Sequence, residues 1–138
     1  MADLMKGKRG LVMGVANERS IAWGIASALA AEGAELAFSY QGEAFGKRLE
    51  PLAQSVGSDF MVDVDVTDDA SLDAAFDQLS QRWDSVDFVV HAIAYSDKTE
   101  LTGRFLDTSR ANFKNSLDIS CYSLIEVARR AYPMMKEN

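Results

Sequence analysis

Leu11-Val12-Met13-Gly14-Val15, followed by Ala16-Asn17-Glu18-Arg19-Ser20 and then Ile21-Ala22-Trp23-Gly24, is the stretch that decides the fold. A strand-length apolar run passes through a glycine turn into a helical pattern. Glu35–Tyr40, Phe60–Val64 and Val86–Val90 repeat the theme, each bounded by Gly, Asp or Ser. Strands alternating with helix-period segments indicate a parallel sheet. Leu11–Val15 and Val86–Val90 are the most continuously apolar, as strands covered on both faces should be. The spacing predicts that the first helix buries Ile21, Ile25 and Leu29, and the second Phe45, Leu49, Leu52 and Val56. The third would bury Leu72, Ala75, Phe76, Leu79 and Trp83, and the fourth Phe113, Leu117, Cys121, Leu124, Ile125 and Ala128, fading near Pro133. Gly33 and Gly57 stand where a left-handed residue ends a helix, and Pro51 is expected to weaken the second helix.

Consecutive parallel strands need right-handed crossovers, so three strands wind to one side and the chain returns beside the first for the fourth. The predicted fold is α/β, a Rossmann-like doubly wound parallel sheet with strand order 3-2-1-4 and its later strands missing. That order leaves Val86–Val90 at an open edge, an aggregation hazard for so apolar a strand, and the last helix leads to no following strand. Residues 1–138 are therefore expected to be the first part of a larger domain that continues past Asn138.

Composition bounds the function. The 138 residues are 48% apolar and 25% charged, with two prolines and nine glycines, as in an ordinary folded domain. Twenty-one acidic against fourteen basic side chains give a net charge of −7, which argues against tracking phosphates of DNA or RNA and against binding an acidic membrane surface. Cys121 and His91 are the only residues of their kinds, so no internal disulfide and no Cys/His metal cage is expected. Apolar stretches such as Ile21–Ala31 fall below the ~18 residues of a membrane span. A reducing, cytoplasmic setting is expected.

In a doubly wound sheet, ligands settle at the carboxyl ends of the strands where the order reverses, here between the first and fourth. The loop after the first strand enters a helix whose free N–H groups and dipole suit a pyrophosphate. A strict G-x-G-x-x-G is absent, and Gly14 with Gly24 alone also fits any strand-to-helix turn. Ser20 can cap the helix or reach a phosphate, with the cap as the expected role. His91, lone at a strand end, is expected to be a hydrogen-bonded structural histidine.

Several separated blocks then occur in one order: Gly-Val-Ala-x-x-x-Ser-Ile-Ala-x-Gly-Ile-Ala (Gly14 to Ala26), Glu32 to Phe38, Tyr40-Gln41, Gly57 to Asp59, Asp65-Val66, Val90-His91-x-Ile93 and Asp118-Ile119-Ser120-x-Tyr122-Ser123. Together they resemble the bacterial enoyl-acyl-carrier-protein reductases, a branch of the short-chain dehydrogenase/reductase superfamily, over about the amino-terminal half of such an enzyme. The resemblance implies an NAD(P)-binding Rossmann domain of which residues 1–138 are the amino-terminal part. It implies that Gly14, Ser20 and Ile21 line the dinucleotide phosphates, that Gln41 lies near the adenosine ribose, and that Asp65 and Val66 flank the adenine. It places Ile93 on the nicotinamide side and Tyr95-Ser96 beside an acyl substrate, and it further implies an acyl carrier protein as substrate donor and a homotetramer. Plainer readings stand beside these: Ile21 and Val66 as core, Asp65 in an Asx turn, Gln41 as a solvated loop residue. Ala92 and Ala94 depart from the Ser or Gly of some relatives.

Charge favours NADH over NADPH, because Gln41-Gly42-Glu43 offers no base to a 2′-phosphate; the usual ribose-binding acid at the strand end is missing as well. Reduction of an enoyl thioester develops negative charge on the thioester oxygen. In the family resembled a tyrosine donates to that oxygen and a following lysine holds the nicotinamide ribose, both beyond a fifth strand, so no catalytic residue is assigned within residues 1–138. Tyr132-Pro133-Met134-Met135-Lys136 imitates the Tyr-x-x-x-Lys spacing, but Pro133 disrupts the turn that would align the pair. The expected function is NADH-dependent enoyl-acyl-carrier-protein reduction, with this stretch inactive alone. The alternatives are a non-catalytic NADH-binding module and a carbonyl-reducing dehydrogenase using Tyr132 and Lys136.

Overall fold

The computed structural model describes residues 3–136. Strands β1 (Arg9–Met13), β2 (Glu35–Tyr40), β3 (Met61–Asp63) and β4 (Phe88–His91) form one parallel sheet in the order β3-β2-β1-β4, as predicted. Arg9 to Met13 pair with Glu35 to Ser39 on one side, and Gly10 to Met13 with Phe88 to His91 on the other. β1 ends at Met13 instead of Val15, because Gly14 turns the chain with φ +109°. β3 is similarly trimmed to Met61–Asp63.

The alternation along β1 builds two cores. Leu11 and Met13 face the layer of α3 (Asp69–Arg82) and α5 (Ser123–Ala131), whereas Val12 faces α1 (Ile21–Ala31) and α2 (Glu43–Ser55). The α3 stripe is buried as predicted, from Leu72 through Trp83, and the Asp68 carboxylate caps this helix by accepting from the Ala70 and Ser71 amides. Gly33 and Gly57 both have positive φ just past their helices. Helix α2 runs unbroken through Pro51, which is exposed, so the carbonyl it cannot serve is left to water.

Two predicted stripes face the wrong way. In α1 the fully buried residues are Ala22 and Ala26; of the predicted stripe Leu29 packs half-buried against the core, while Ile21 is 82% exposed and Ile25 also points outward. Two apolar stripes share this helix, and the one with small side chains permits the closer approach to the sheet. In the last helical region, α4 (Arg110–Leu117) and α5 are joined by a wide π turn, Asp118–Tyr122. Ser123, Val127 and Ala131 face inward, whereas Phe113, Leu117, Cys121, Leu124, Ile125 and Ala128 are all exposed. The inserted turn breaks the 3.6-residue phase that linked those large side chains on paper.

Helix α5 is tied to α3 by charge. Arg130 bonds Asp73 Oδ1 at 2.8 Å and Glu126 Oε2 at 2.7 Å, and Glu126 also accepts from the Tyr122 hydroxyl at 2.6 Å and from Arg129. Tyr122 foremost, then Arg130 and Arg129, hold the Glu126 carboxyl down to about 2, from an ordinary value of 4.5. Its contribution is present above about 4.5 and is lost as pH falls through about 2. Glu126→Gln is therefore expected to flatten the acid limb of a stability-versus-pH curve measured by denaturant melts, with its largest effect above pH 4.5.

Candidate functional site

A cleft of about 630 Å³ opens at the carboxyl ends of the strands. It forms where β1 and β4 part, the reversal point of the strand order. Gly14 fixes this point: a Cβ there would come within 2.0 Å of the Ala92 carbonyl oxygen, while the Ala92 amide donates to the Met13 carbonyl at 3.0 Å. Only a residue without a side chain permits both the turn and that approach.

Gly14, Gln41, Asp65, Val66, Ile93 and Tyr95 all line the cleft. Asp65 Oδ1 accepts from the Thr67 amide at 2.9 Å and the Thr67 hydroxyl at 2.7 Å, so the Asx turn and the cleft position coexist. Val66 and Ile93 are half-buried, packed on the α3 core and facing the cleft as well. Beside Gln41 the Gly42 amide donates to Asp63 Oδ1 at 3.0 Å. This bond ties the loop after β2 to the end of β3, although Asp63 itself does not line the cleft.

Ser20, Ile21 and Ser96 do not line the cleft. Ser20 stands at the helix start without capping it. Its Oγ accepts backward from the Ala16 and Asn17 amides, at 2.9 and 3.1 Å, which braces the loop and leaves the hydroxyl proton free to donate. Ile21 is neither core nor cleft, since its side chain points to solvent. Ser96 Oγ receives bonds from Asn112 Nδ2 at 3.0 Å and Ser116 Oγ at 3.1 Å, fastening the loop to α4.

Among the further lining residues, sequence reasoning gives Tyr40, Phe45, Asn115 and Ile119 no place at the site, and notes Ala92 and Ala94 only as departures from relatives. Tyr40 adjoins Gln41 at a strand end, so its position was within reach; Phe45, predicted for the buried stripe of α2, instead is 43% exposed and faces the cleft, and Asn115 and Ile119 come from the distant α4 region. His91 is structural as expected: half-buried, with its Nε2 at 2.7 Å from Ser123 Oγ, and with burial holding its pKa below the usual histidine range. Tyr132 is 78% exposed in a short 3₁₀ turn, and the neighbouring Met134 carbonyl accepts from the Val86 amide ahead of β4. The Tyr132 and Lys136 pair therefore sits at the end of the sheet opposite the cleft, which removes the dehydrogenase reading built on it. Among the described residues no cluster of three or more His, Cys, Asp or Glu could hold a metal ion.

The profile of the enoyl-(acyl carrier protein) reductase family matches residues 14–138. The chain belongs to that family. An enoyl-acyl-carrier-protein reductase (NADH) of Rhizobium meliloti is 59% identical over 99% of the chain and 51% of its own length. The crystal structure of FabI from Candidatus Liberibacter asiaticus superposes with a TM-score of 0.95 at 55% identity, over 97% of this chain and 52% of that one. The reductase of Anaplasma phagocytophilum in complex with NAD gives 0.94 at 52% identity, over 98% of this chain and 52% of that one. The chain spans about half the length of the reductase-family relatives it matches.

Proposed function

We propose that residues 1–138 are the amino-terminal part of a single NAD(P)-binding Rossmann domain in an NADH-dependent enoyl-acyl-carrier-protein reductase of type II fatty acid synthesis. The observation that carries this reading is the convergence of Gly14, Gln41, Asp65, Val66, Ile93 and Tyr95 on one cleft at the strand reversal. The match to relatives named for that activity supports it.

The cleft fits a dinucleotide on its own terms. The bare Gly14 backbone and the amino end of α1 suit a pyrophosphate, since the first N–H groups of a helix lack partners within it. Ser20 and Ile21 stand just outside the cleft lining, from which Ser20 would reach a phosphate with its free hydroxyl proton and Ile21 only with its backbone N–H, its side chain being turned away. Gln41 would meet the adenosine ribose, its loop held to β3 by the bond from the Gly42 amide to Asp63; Asp65 and Val66 would flank the adenine. Ile93 would contact the nicotinamide side and Tyr95 the acyl substrate, with Ser96 acting only through the loop it fastens. The chemistry such a cofactor supplies is hydride delivery to the β-carbon of a trans-2-enoyl thioester. Charge developing on the thioester oxygen needs a donor, which we assign, on the family resemblance, to a tyrosine in the carboxyl-terminal part of the domain; Tyr132, at the far end of the sheet, is not placed to supply it.

Association into a homotetramer is supported by the exposed apolar side chains of α4 and α5, notably Leu124 and Ile125 at 51% and 55% exposure. A cytoplasmic location accords with the finding that no helix among the described residues is long and apolar enough to cross a membrane. The net charge of −7 supports partners other than nucleic acid or an acidic membrane.

The full-length protein is expected to oxidise NADH only when a trans-2-enoyl thioester is added, first as the coenzyme A ester and then on acyl carrier protein. Absence of thioester-dependent oxidation refutes the proposal. Selectivity is tested separately by binding: Gln41→Arg is expected to shift the NADH-to-NADPH affinity ratio about tenfold toward NADPH, as a guanidinium pairs with the 2′-phosphate.

A further inference from the structure

The π turn Asp118–Tyr122 and the helix it opens are gripped twice by the segment that forms one wall of the cleft. Ser120 Oγ accepts from the Tyr95 amide at 3.0 Å and donates to the Tyr95 carbonyl at 3.3 Å. Ser123 Oγ lies 2.7 Å from His91 Nε2 and donates to the Ile119 carbonyl, also at 2.7 Å. The two serines thus hold both ends of His91–Tyr95, while Ala92, Ile93 and Ala94 between them line the cleft and Ile119 faces them from the helical side. Neither serine lines the cleft itself, and Ser123 is only 2% exposed.

The Ser123 contacts are mutually restrictive. A serine hydroxyl has one proton, so with Ile119 as its acceptor the histidine contact is made only when His91 donates through Nε2. The pair selects one tautomer and one ring orientation. Losing the Ser123 oxygen would leave a half-buried N–H without its acceptor, which costs more than a surface hydrogen bond. A π turn is an uncommon geometry that recurs at functional sites, and here it sets the two serine hydroxyls at the spacing of the segment they hold.

We propose that Ser120 and Ser123 are positioning residues, a double clasp that sets Ile93 and Tyr95 against the reacting end of the bound ligands. This rests on the reading of the cleft given above. Gln41, Asp65 and Val66, proposed for the adenosine end, come from the ends of β2 and β3 and make none of the clasp's hydrogen bonds, so clasp variants should separate substrate use from dinucleotide affinity.

The test compares full-length wild type with Ser120→Ala, Ser123→Ala and Ser123→Thr. The readouts are the ¹⁵N signals of the His91 ring, the Ile93 methyl shifts, an NADH titration, and KM for an enoyl thioester. Ser123→Ala is expected to lose the Nε2–H tautomer and move the Ile93 methyl resonance, and Ser123→Thr, which keeps the hydroxyl, to restore both. Ser120→Ala is expected to raise KM about tenfold while the NADH Kd moves less than about twofold. Unchanged His91 and Ile93 signals in Ser123→Ala, no rescue by threonine, or a Kd that rises in step with KM would overturn the clasp. Should Ser123→Ala fail to fold, Ser120→Ala and Ser123→Thr decide the matter. A wild type without turnover refutes the functional reading alone, because the His91 and Ile93 signals are read without substrate.

Discussion

Gly14→Ala is expected to destabilise the domain by about 3 kcal/mol or more and to abolish dinucleotide binding. Two effects act together at this position. An L-residue is strained at φ +109°, and its Cβ would stand 2.0 Å from the Ala92 carbonyl oxygen, a backbone atom that cannot rotate aside. Relief requires β1 and β4 to move apart at the reversal point, which opens the floor of the cleft. Gly24, ten residues on in the same loop-and-helix motif, is the internal control. A Cβ there meets nothing within 4 Å, so Gly24→Ala should be neutral or stabilising by up to about 1 kcal/mol through helix propensity. Denaturant melts of the two variants, with an NADH titration of each, check the pair. Equal behaviour of the two would show that Gly14 does not sit where β1 and β4 converge.

Trp83→Ala is expected to cost about 3–5 kcal/mol, in the range of large aromatic truncations in a core. Trp83 is 2% exposed and stands edge-on to Phe60, with ring centroids 5.0 Å apart and planes at 78°. Its Nε1 donates to Glu35 Oε1 at 3.1 Å, so the one polar atom of a buried ring is satisfied at the amino end of β2. The side chain therefore joins the end of α3 to the sheet and to the segment leading into β3. Trp83→Phe should recover part of the loss by keeping most of the buried area. Trp23, half-buried and 6.3 Å from Phe38 in a tilted arrangement, should cost less when truncated. Urea midpoints with unchanged slopes would report these differences as stability; a full-sized loss at Trp23 and none at Trp83 would contradict the burial pattern.

What was legible in the sequence follows from how each element buries its residues. β1 is apolar on both faces because helices cover both, so its Leu11-Val12-Met13 run marks a buried central strand, whereas the equally apolar β4 is only half-buried at the edge of the described sheet. The α3 stripe is equally plain, since one face carries every large apolar side chain. Helix α1 misleads because its alanines, small enough to let the helix lie close to the sheet, compete with a parallel stripe of isoleucines. The α4–α5 region misleads more deeply: its large apolar side chains face outward, and its sheet-facing residues include Ser120 and Ser123, which are serviceable there only because Tyr95, His91 and Ile119 answer them. Those partners lie in a different segment or across a π turn, and no local periodicity announces either.

The cleft shows the same division. Residues at strand ends, such as Gly14, Gln41, Asp65 and Ile93, are brought together by topology and could be named from the strand pattern and the family resemblance. Ser20 and Ser96 keep positions near the site yet spend their oxygens on neighbouring backbone or side chains. Asp63 is the reverse: its strand was recognised, but the carboxylate it sets beside Gly42 depends on the pairing of Tyr40 with Asp63 across β2 and β3.

On the proposed reading, the cleft at the β1–β4 reversal holds the dinucleotide. Mapping backbone amide shifts of the full-length protein during titration with NADH tests it most directly. Saturable changes centred on Gly14, Gln41, Asp65 and Ile93, with residues around Trp83 and Met134 at the opposite end of the sheet left still, are the predicted result. Changes confined to that opposite end, or none at saturating NADH, would contradict the account.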